Sequence, residues 1–298
     1  MDGRIIANRR AWDEKTDRHV AGRGGGYRIE DFKAGRCGTE PNIPDDIGDV
    51  AGKSILHLQC HFGMDSLMWT RRGARVTGVD FSPRAIAEAR KLSAQTGLEA
   101  EYVEADVLAL PEVLSGQFDI VLSYYGTICW LPDIRRWGRV AAHFLRPGGF
   151  LYLADTHPLA ALYEPREAVD GKQGEEGEAT GGGGLRLARP YFTGGRPQRC
   201  ESETGTCTAP EAPLGEKVTY EWQHPLGEVV GALVDAGLRI DWLREFPYTF
   251  YDMFYYAEPA SPLERDSAGW WRLKSMPAGL PLMFSVKAGK PGTAPEQD

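Results

Sequence analysis

At 298 residues, the chain is long enough for one large α/β domain with a lid or about two ordinary domains. With 42% hydrophobic and 26% charged residues, it can bury a sizeable core, which excludes the fibrous and largely disordered classes. The 34 Lys and Arg against 42 Asp and Glu leave a net charge of -8, which offers no electrostatic footprint for a nucleic-acid backbone.

No apolar run approaches the roughly 20 residues needed to cross a bilayer, and Met1-Asp2-Gly3-Arg4 is not followed by a signal-peptide core. The expectation is a cytoplasmic protein with neither nucleic-acid nor membrane partners. Cys37, Cys60, Cys129, Cys200 and Cys207 are odd in number and scattered, so no disulfide framework is expected.

In chain order, residues 1–50 read as an N-terminal helix and lid segment. Trp12, Lys15, Thr16 and His19 recur at helix spacing within 8–20, and the run 22–26 is a pliable connector. Residues 51–158 alternate short apolar strands with helical segments, the signal for βαβ units and a parallel sheet. The strands fall at 54–59, 75–80, 100–104, 118–124 and 150–155. The second intervening helix is well marked, with Ser82 at its N-cap, Pro83 at its first position, Ile86 and Ala89 facing inward and Gly97 closing it. Residues 159–222 lose this periodicity and form an irregular insertion, with a Gly- and Glu-rich stretch at 171–184 expected to be mobile. Within 223–298 order returns: Val229, Val230, Leu233 and Val234 form a helical face ending at Gly237, and strands at 238–246 and 282–286 raise the strand count to seven.

Two glycine signals differ in value. Gly48 to Ser54 resembles a phosphate loop with one residue missing, but its Gly-Lys-Ser precedes a strand instead of opening a helix, so a tight turn is the better reading. The segment from Ile55 to Leu67 reads as strand, turn and helix start, with Leu58-Gln59-Cys60-His61-Phe62-Gly63 at the turn.

With that loop the chain resembles the class I S-adenosylmethionine-dependent methyltransferases, in particular a small-molecule branch. Of the family's usual three loop glycines only Gly63 is kept; Gln59 and His61 replace the others, and His57 stands at the usual acidic position. Val79-Asp80-Phe81-Ser82-Pro83 places a carboxylate at the end of strand two, where it can accept both ribose hydroxyls. Glu104-Ala105-Asp106-Val107, Phe118 to Gly126 and Leu145 to Leu151 look like the family's next signatures. The resemblance implies a Rossmann-like, doubly wound, seven-stranded mixed sheet with an N-terminal helix and an inserted lid region. It also implies S-adenosylmethionine as cofactor, held by Gln59, Cys60, His61, Gly63, Asp80, Phe81, Asp106, Val107 and Ser123, with Asp106 accepting from the adenine amine and Phe81 packing on the ring.

Methyl transfer from a sulfonium needs mainly alignment and exclusion of water, because the donor is already activated. A hydroxyl acceptor would be helped by a base, for which His157, His19 and His224 are candidates. His157 ranks first because it directly follows strand five, although a turn histidine before Pro158 is an equally good reading. Tyr124 and Tyr125 follow strand four, where an aromatic wall favours a cationic group. Trp12, Tyr27, Tyr125, Trp130 and Tyr248 are the expected acceptor pocket, the last within the aromatic run from Phe246 to Tyr256. No metal is expected: tyrosines are poor ligands for a hard cation at the end of strand four, and His57, Cys60 and His61 lack the usual zinc spacing. The expected activity is transfer of a methyl group to N or O of a small metabolite, and a homo-oligomer is compatible with it. The alternatives are an NAD-dependent oxidoreductase, which lacks its Gly-x-Gly-x-x-Gly turn here, and a non-catalytic S-adenosylmethionine-binding protein.

Overall fold

A computed structural model describes residues 2–21, 27–36, 42–165, 185–201, 215–255, 261–275 and 279–292. The stretches 22–26 and 171–184, read above as connector and mobile loop, lie outside the described residues. Helix α1 (Gly3–Val20) begins where Asp2 accepts the Arg4 N–H at 2.8 Å, a side-chain cap for one of the orphan donors of the first turn. It is longer than the stretch 8–20 expected from Trp12 to His19. Short helices α2 (Ile29–Lys33) and α3 (Asn42–Ile47) follow.

The core then alternates: β1 (Ser54–Leu58), α4 (Met64–Arg71), β2 (Arg75–Asp80), α5 (Pro83–Thr96), β3 (Glu101–Glu104), β4 (Phe118–Tyr124), α6 (Ile134–Phe144) and β5 (Leu145–Thr156). Helix α5 has the ends expected of it, with Ser82 Oγ accepting the Ala85 N–H at 2.9 Å and Gly97 left-handed at its close. Strand β5 begins five residues earlier than expected. Arg146-Pro147-Gly148-Gly149 hides its start because Pro and Gly are rare in strands.

The insertion contributes two hairpins, β6 (Tyr163–Pro165) with β7 (Leu185–Leu187) and β8 (Gln198–Glu201) with β9 (Val218–Glu221). Helix α7 (Leu226–Asp235) leads to β10 (Arg239–Phe246), the small hairpin β11 (Leu263–Arg265) with β12 (Trp271–Leu273), and β13 (Met283–Gly289).

Seven strands form one sheet in the order β10-β13-β5-β4-β1-β2-β3. β1 to β5 are parallel, and β13 runs antiparallel between β5 and β10. This is the doubly wound mixed sheet anticipated from the sequence. Strand alternation sends Leu56, Leu58, Val121, Leu151 and Leu153 to one face against Trp137, Phe144 and Leu233, and Ile55, Ile120 and Leu122 to the other against Trp69 and Ile43. Full burial of each such side chain contributes about 1.5–3 kcal/mol. The strand order reverses between β1 and β4, so the loops after their carboxyl ends diverge and open the crevice where such sheets bind ligands.

Candidate cofactor and acceptor site

The turn after β1 is built from left-handed residues. Gln59 has φ 55°, His61 φ 53° and Gly63 φ 73°, so the two residues that replace glycine keep the backbone a glycine would supply. For a non-glycine residue that conformation costs on the order of 1 kcal/mol or more, and the surrounding contacts hold it. The Cys60 N–H donates to Val79 O at 2.9 Å, tying the turn to β2. Gln59 Nε2 donates to Thr127 O at 2.8 Å, tying it to the loop after β4. A Cβ at Gly63 would lie 2.5 Å from Tyr102 Oη, so no larger residue fits there. Burial pushes the Cys60 thiol up, leaving it a packed neutral group.

Asp80 ends β2 as a buried carboxylate. Its Oδ2 accepts the His61 N–H and its Oδ1 the Ser82 N–H, both at 2.9 Å. An ionised carboxylate has about four acceptor sites, so acceptor capacity is left over for a hydroxyl. Burial pushes Asp80 up to about 6, although the N–H groups of Ser82 and His61 pull the other way. The Asp80 carbonyl accepts the Ala105 N–H at 2.9 Å, which locks the end of β3 beside it and brings Asp106 to the same edge. Asp106 Oδ1 caps the turn that follows by accepting the Leu108 N–H at 2.9 Å; Val107 next to it is buried, and Phe81 next to Asp80 is half-buried. A carboxylate with acceptor sites to spare, a neighbouring acid and a narrow turn fit a ribose, an adenine and the amino-acid end of a nucleoside cofactor.

The loop after β4 hangs from one residue that pattern reading mentioned only as a strand end. Asp155 is buried; its Oδ1 accepts the N–H groups of Gly126 (2.9 Å) and Thr156 (2.7 Å). Its Oδ2 accepts from Thr127 N (2.8 Å), Thr127 Oγ1 (3.0 Å) and Ile128 N (3.1 Å). The signal was an acid directly after the apolar run Leu151–Ala154. Ser123 lies beneath this network, its Oγ 2.9 Å from Thr127 Oγ1, and is fully buried.

Of the aromatic candidates, the structure brings Trp12 and Trp130 edge to face at 5.4 Å, with Lys15 Nζ over both rings at 4.8 and 4.7 Å. Tyr27 packs on Phe62 and on the His19 and His61 rings. Tyr125 stacks on Phe250 at 3.8 Å. Tyr248 packs on Trp270 at 4.8 Å under the Arg272 guanidinium, beside the β11–β12 hairpin.

The structure places the candidate catalytic side chains as follows. Tyr124 turns into the core, its hydroxyl accepting from Trp69 Nε1 at 2.7 Å and its ring stacked on His57, because strand alternation sends it to the face of α4. His157 Nδ1 accepts the Leu159 N–H at 3.1 Å, so Nε2 carries the proton and donates to Glu245 at 2.8 Å. Both nitrogens are therefore taken, and the turn reading describes this histidine. Burial lowers it, against the pull of Glu245. His224 Nε2 donates to Leu131 O at 2.9 Å and is likewise held neutral by burial. His19 is buried against the turn after β1, its Nδ1 2.9 Å from His61 Nε2; burial, and then the charge of Lys15, lowers it to about 3. His57 Nδ1 bonds Ser66 at 2.8 Å, so His57 and His61 face different partners, and among the described residues no three His, Cys, Asp or Glu are grouped to hold a metal ion.

Comparison with known proteins places this geometry. Residues 55–149 match the family model described as a methyltransferase domain. A ubiquinone biosynthesis O-methyltransferase of Pseudomonas aeruginosa is 30% identical over 124 residues, 41% of this chain and 53% of that protein; the chain spans about half the length of the curated relatives it matches. A crystal structure of an S-adenosylmethionine-dependent methyltransferase from Mesorhizobium loti superposes with a TM-score of 0.55 at 22% identity, over 83% of this chain and 95% of that one. That of the glycopeptide N-methyltransferase MtfA, complexed with S-adenosylmethionine, gives 0.50 at 20% identity, over 84% and 92%. Residues 55–149 thus match a methyltransferase domain, and the chain has the fold of the S-adenosylmethionine-dependent methyltransferases on which it superposes.

Proposed function

We propose that the chain transfers a methyl group from S-adenosylmethionine to N or O of a small-molecule acceptor. The observation that carries this is the pairing of Asp80 and Asp106 at adjoining strand ends, below the left-handed turn 59–63 and at the crevice of the sheet. When bound, the cofactor supplies a methyl carbon on a positively charged sulfur.

Asp80 holds the ribose hydroxyls. Asp106, with Val107 and Phe81, holds the adenine, and the turn from Gln59 to Gly63 holds the amino-acid end. His19 and His61 are kept neutral by burial and by the nearby Lys15 charge, so these two rings add no positive charge of their own beside a cationic donor. Asp155 fixes the loop 126–128 and thereby the place of Tyr125 and Trp130. The Tyr125–Phe250 stack and the Trp12–Trp130 pair line the acceptor side. The rate is carried by alignment and exclusion of water, since His157 and His224 are committed to bonds of their own.

Titration calorimetry with S-adenosylhomocysteine, S-adenosylmethionine and NAD tests the reading, followed by label transfer from methyl-labelled S-adenosylmethionine to a metabolite extract. Heat with the first two alone and label in a small molecule are expected. Binding of NAD instead, or binding of none, would overturn it.

A further inference from the structure

Two residues touch the Asp80 carboxylate through their backbones, and the side chains of the same two hold the N-terminal helix. The His61 N–H donates to Asp80, and its ring bonds His19 of α1. The Ser82 N–H also donates to Asp80, and its hydroxyl donates to Asp13 of α1 at 2.6 Å. From its other side α1 is fastened to β9: Asn8 Nδ2 donates to Tyr220 O at 2.7 Å, and Asn8 Oδ1 accepts the Tyr220 N–H at 2.8 Å. Between these attachments α1 carries Trp12 and Lys15 against Trp130.

Thr16 Oγ1 donates to Trp12 O at 2.8 Å and lies 3.5 Å from His61 Nδ1; His61 Nε2 is 2.9 Å from His19 Nδ1, one ring donating to the other. Glycine would meet the left-handed backbone at position 61 with less strain, so backbone shape alone does not account for a histidine there. Its ring is what reaches α1.

We propose that His61 is a positioning residue: it fastens α1 to the cofactor turn, so that filling the turn sets Trp12 and Lys15 against Trp130 as the wall on which the acceptor docks. This rests on the cofactor reading above. A ligand that engages Asp80 and holds the turn also holds the His61 ring in the direction α1 requires, and by linkage a docked acceptor tightens the turn in return.

Hydrogen exchange read by mass spectrometry over residues 3–20 tests it. Wild type, His61→Gly and His19→Leu are compared with and without saturating S-adenosylhomocysteine, saturation being set for each protein by calorimetry. Without ligand, α1 is expected to exchange about tenfold faster in both variants, the effect of losing one buried hydrogen bond. With ligand, wild-type α1 slows further, and this extra slowing is lost in both variants. His19→Leu leaves the turn itself unaltered, so agreement of the two variants separates the fastening from a loosened turn. Exchange of α1 at the wild-type rate in either variant, or ligand-induced slowing equal to wild type, would overturn the proposal. Absence of heat with wild type sinks the cofactor reading instead, and the ligand-free comparison still decides whether His61 fastens α1.

Discussion

A carboxylate sealed among apolar strands ionises reluctantly, and at Asp80 the loss of solvation outweighs the N–H groups of Ser82 and His61. Ribose hydroxyls donate to the ionised form, so affinity should follow ionisation. With Asp80 titrating near 6, S-adenosylhomocysteine is expected to bind about tenfold more tightly at pH 7 than at pH 5, and Asp80→Asn to bind weakly with no such slope; calorimetry across that range checks both. For folding the sign is reversed: the folded chain holds this proton more tightly than the unfolded one, so the contribution of Asp80 to stability is greatest in acid and declines as pH rises through about 6. Gly63 answers to shape instead of charge. Gly63→Ala combines a left-handed backbone with a Cβ driven into Tyr102, and a loss of about 2–4 kcal/mol in denaturant unfolding is expected. The family resemblance indicated which residues stand at the glycine positions. That Gln59 and His61 still adopt the glycine conformation depends on Thr127, Val79 and Asp80, partners distant in sequence that hold the turn.

At the scale of elements, the loop between β4 and α6 shows how a buried acid substitutes for regular structure. Four backbone N–H groups and a hydroxyl converge on Asp155. Asp155→Ala leaves those donors unanswered in a buried place, and a loss of about 3–5 kcal/mol is expected from chemical denaturation; a change below about 1 kcal/mol would show that the loop holds itself. Helix α5 was legible in advance because Ser82, Pro83 and Gly97 are local signals for its two ends. Strand β4 was legible in extent, 118–124, but not in orientation. Alternation states that Ser123 and Tyr124 face opposite ways without stating which way the crevice lies, and it is Tyr124 that turns to Trp69.

Taken whole, the molecule buries histidines in neutral form. Burial lowers His19 and His57 to about 3 and lowers His61 and His224 as well. A histidine lowered on folding stabilises fully above its unfolded value near 6.5 and loses that contribution as pH falls, by up to about 1.4 kcal/mol per pH unit. Asp80 works the other way below about 6, as does Asp155, which burial also raises, but the histidines outnumber them. Melting temperature is therefore expected to fall from pH 7 to pH 5 in thermal scans without ligand, and a flat or rising profile would mean that these rings reach water. What the amino-acid order determined by itself was the run of strands and the succession of helices between them, because apolar periodicity, caps and strand ends are written within a few residues of one another; the two acids at the strand ends were singled out by the family resemblance. What only the tertiary structure decided was which face each side chain serves. His19 meets His61 across 42 positions and Asn8 meets Tyr220 across 212, and at such separations a hydrogen bond exists only because the packed sheet has already brought its partners together.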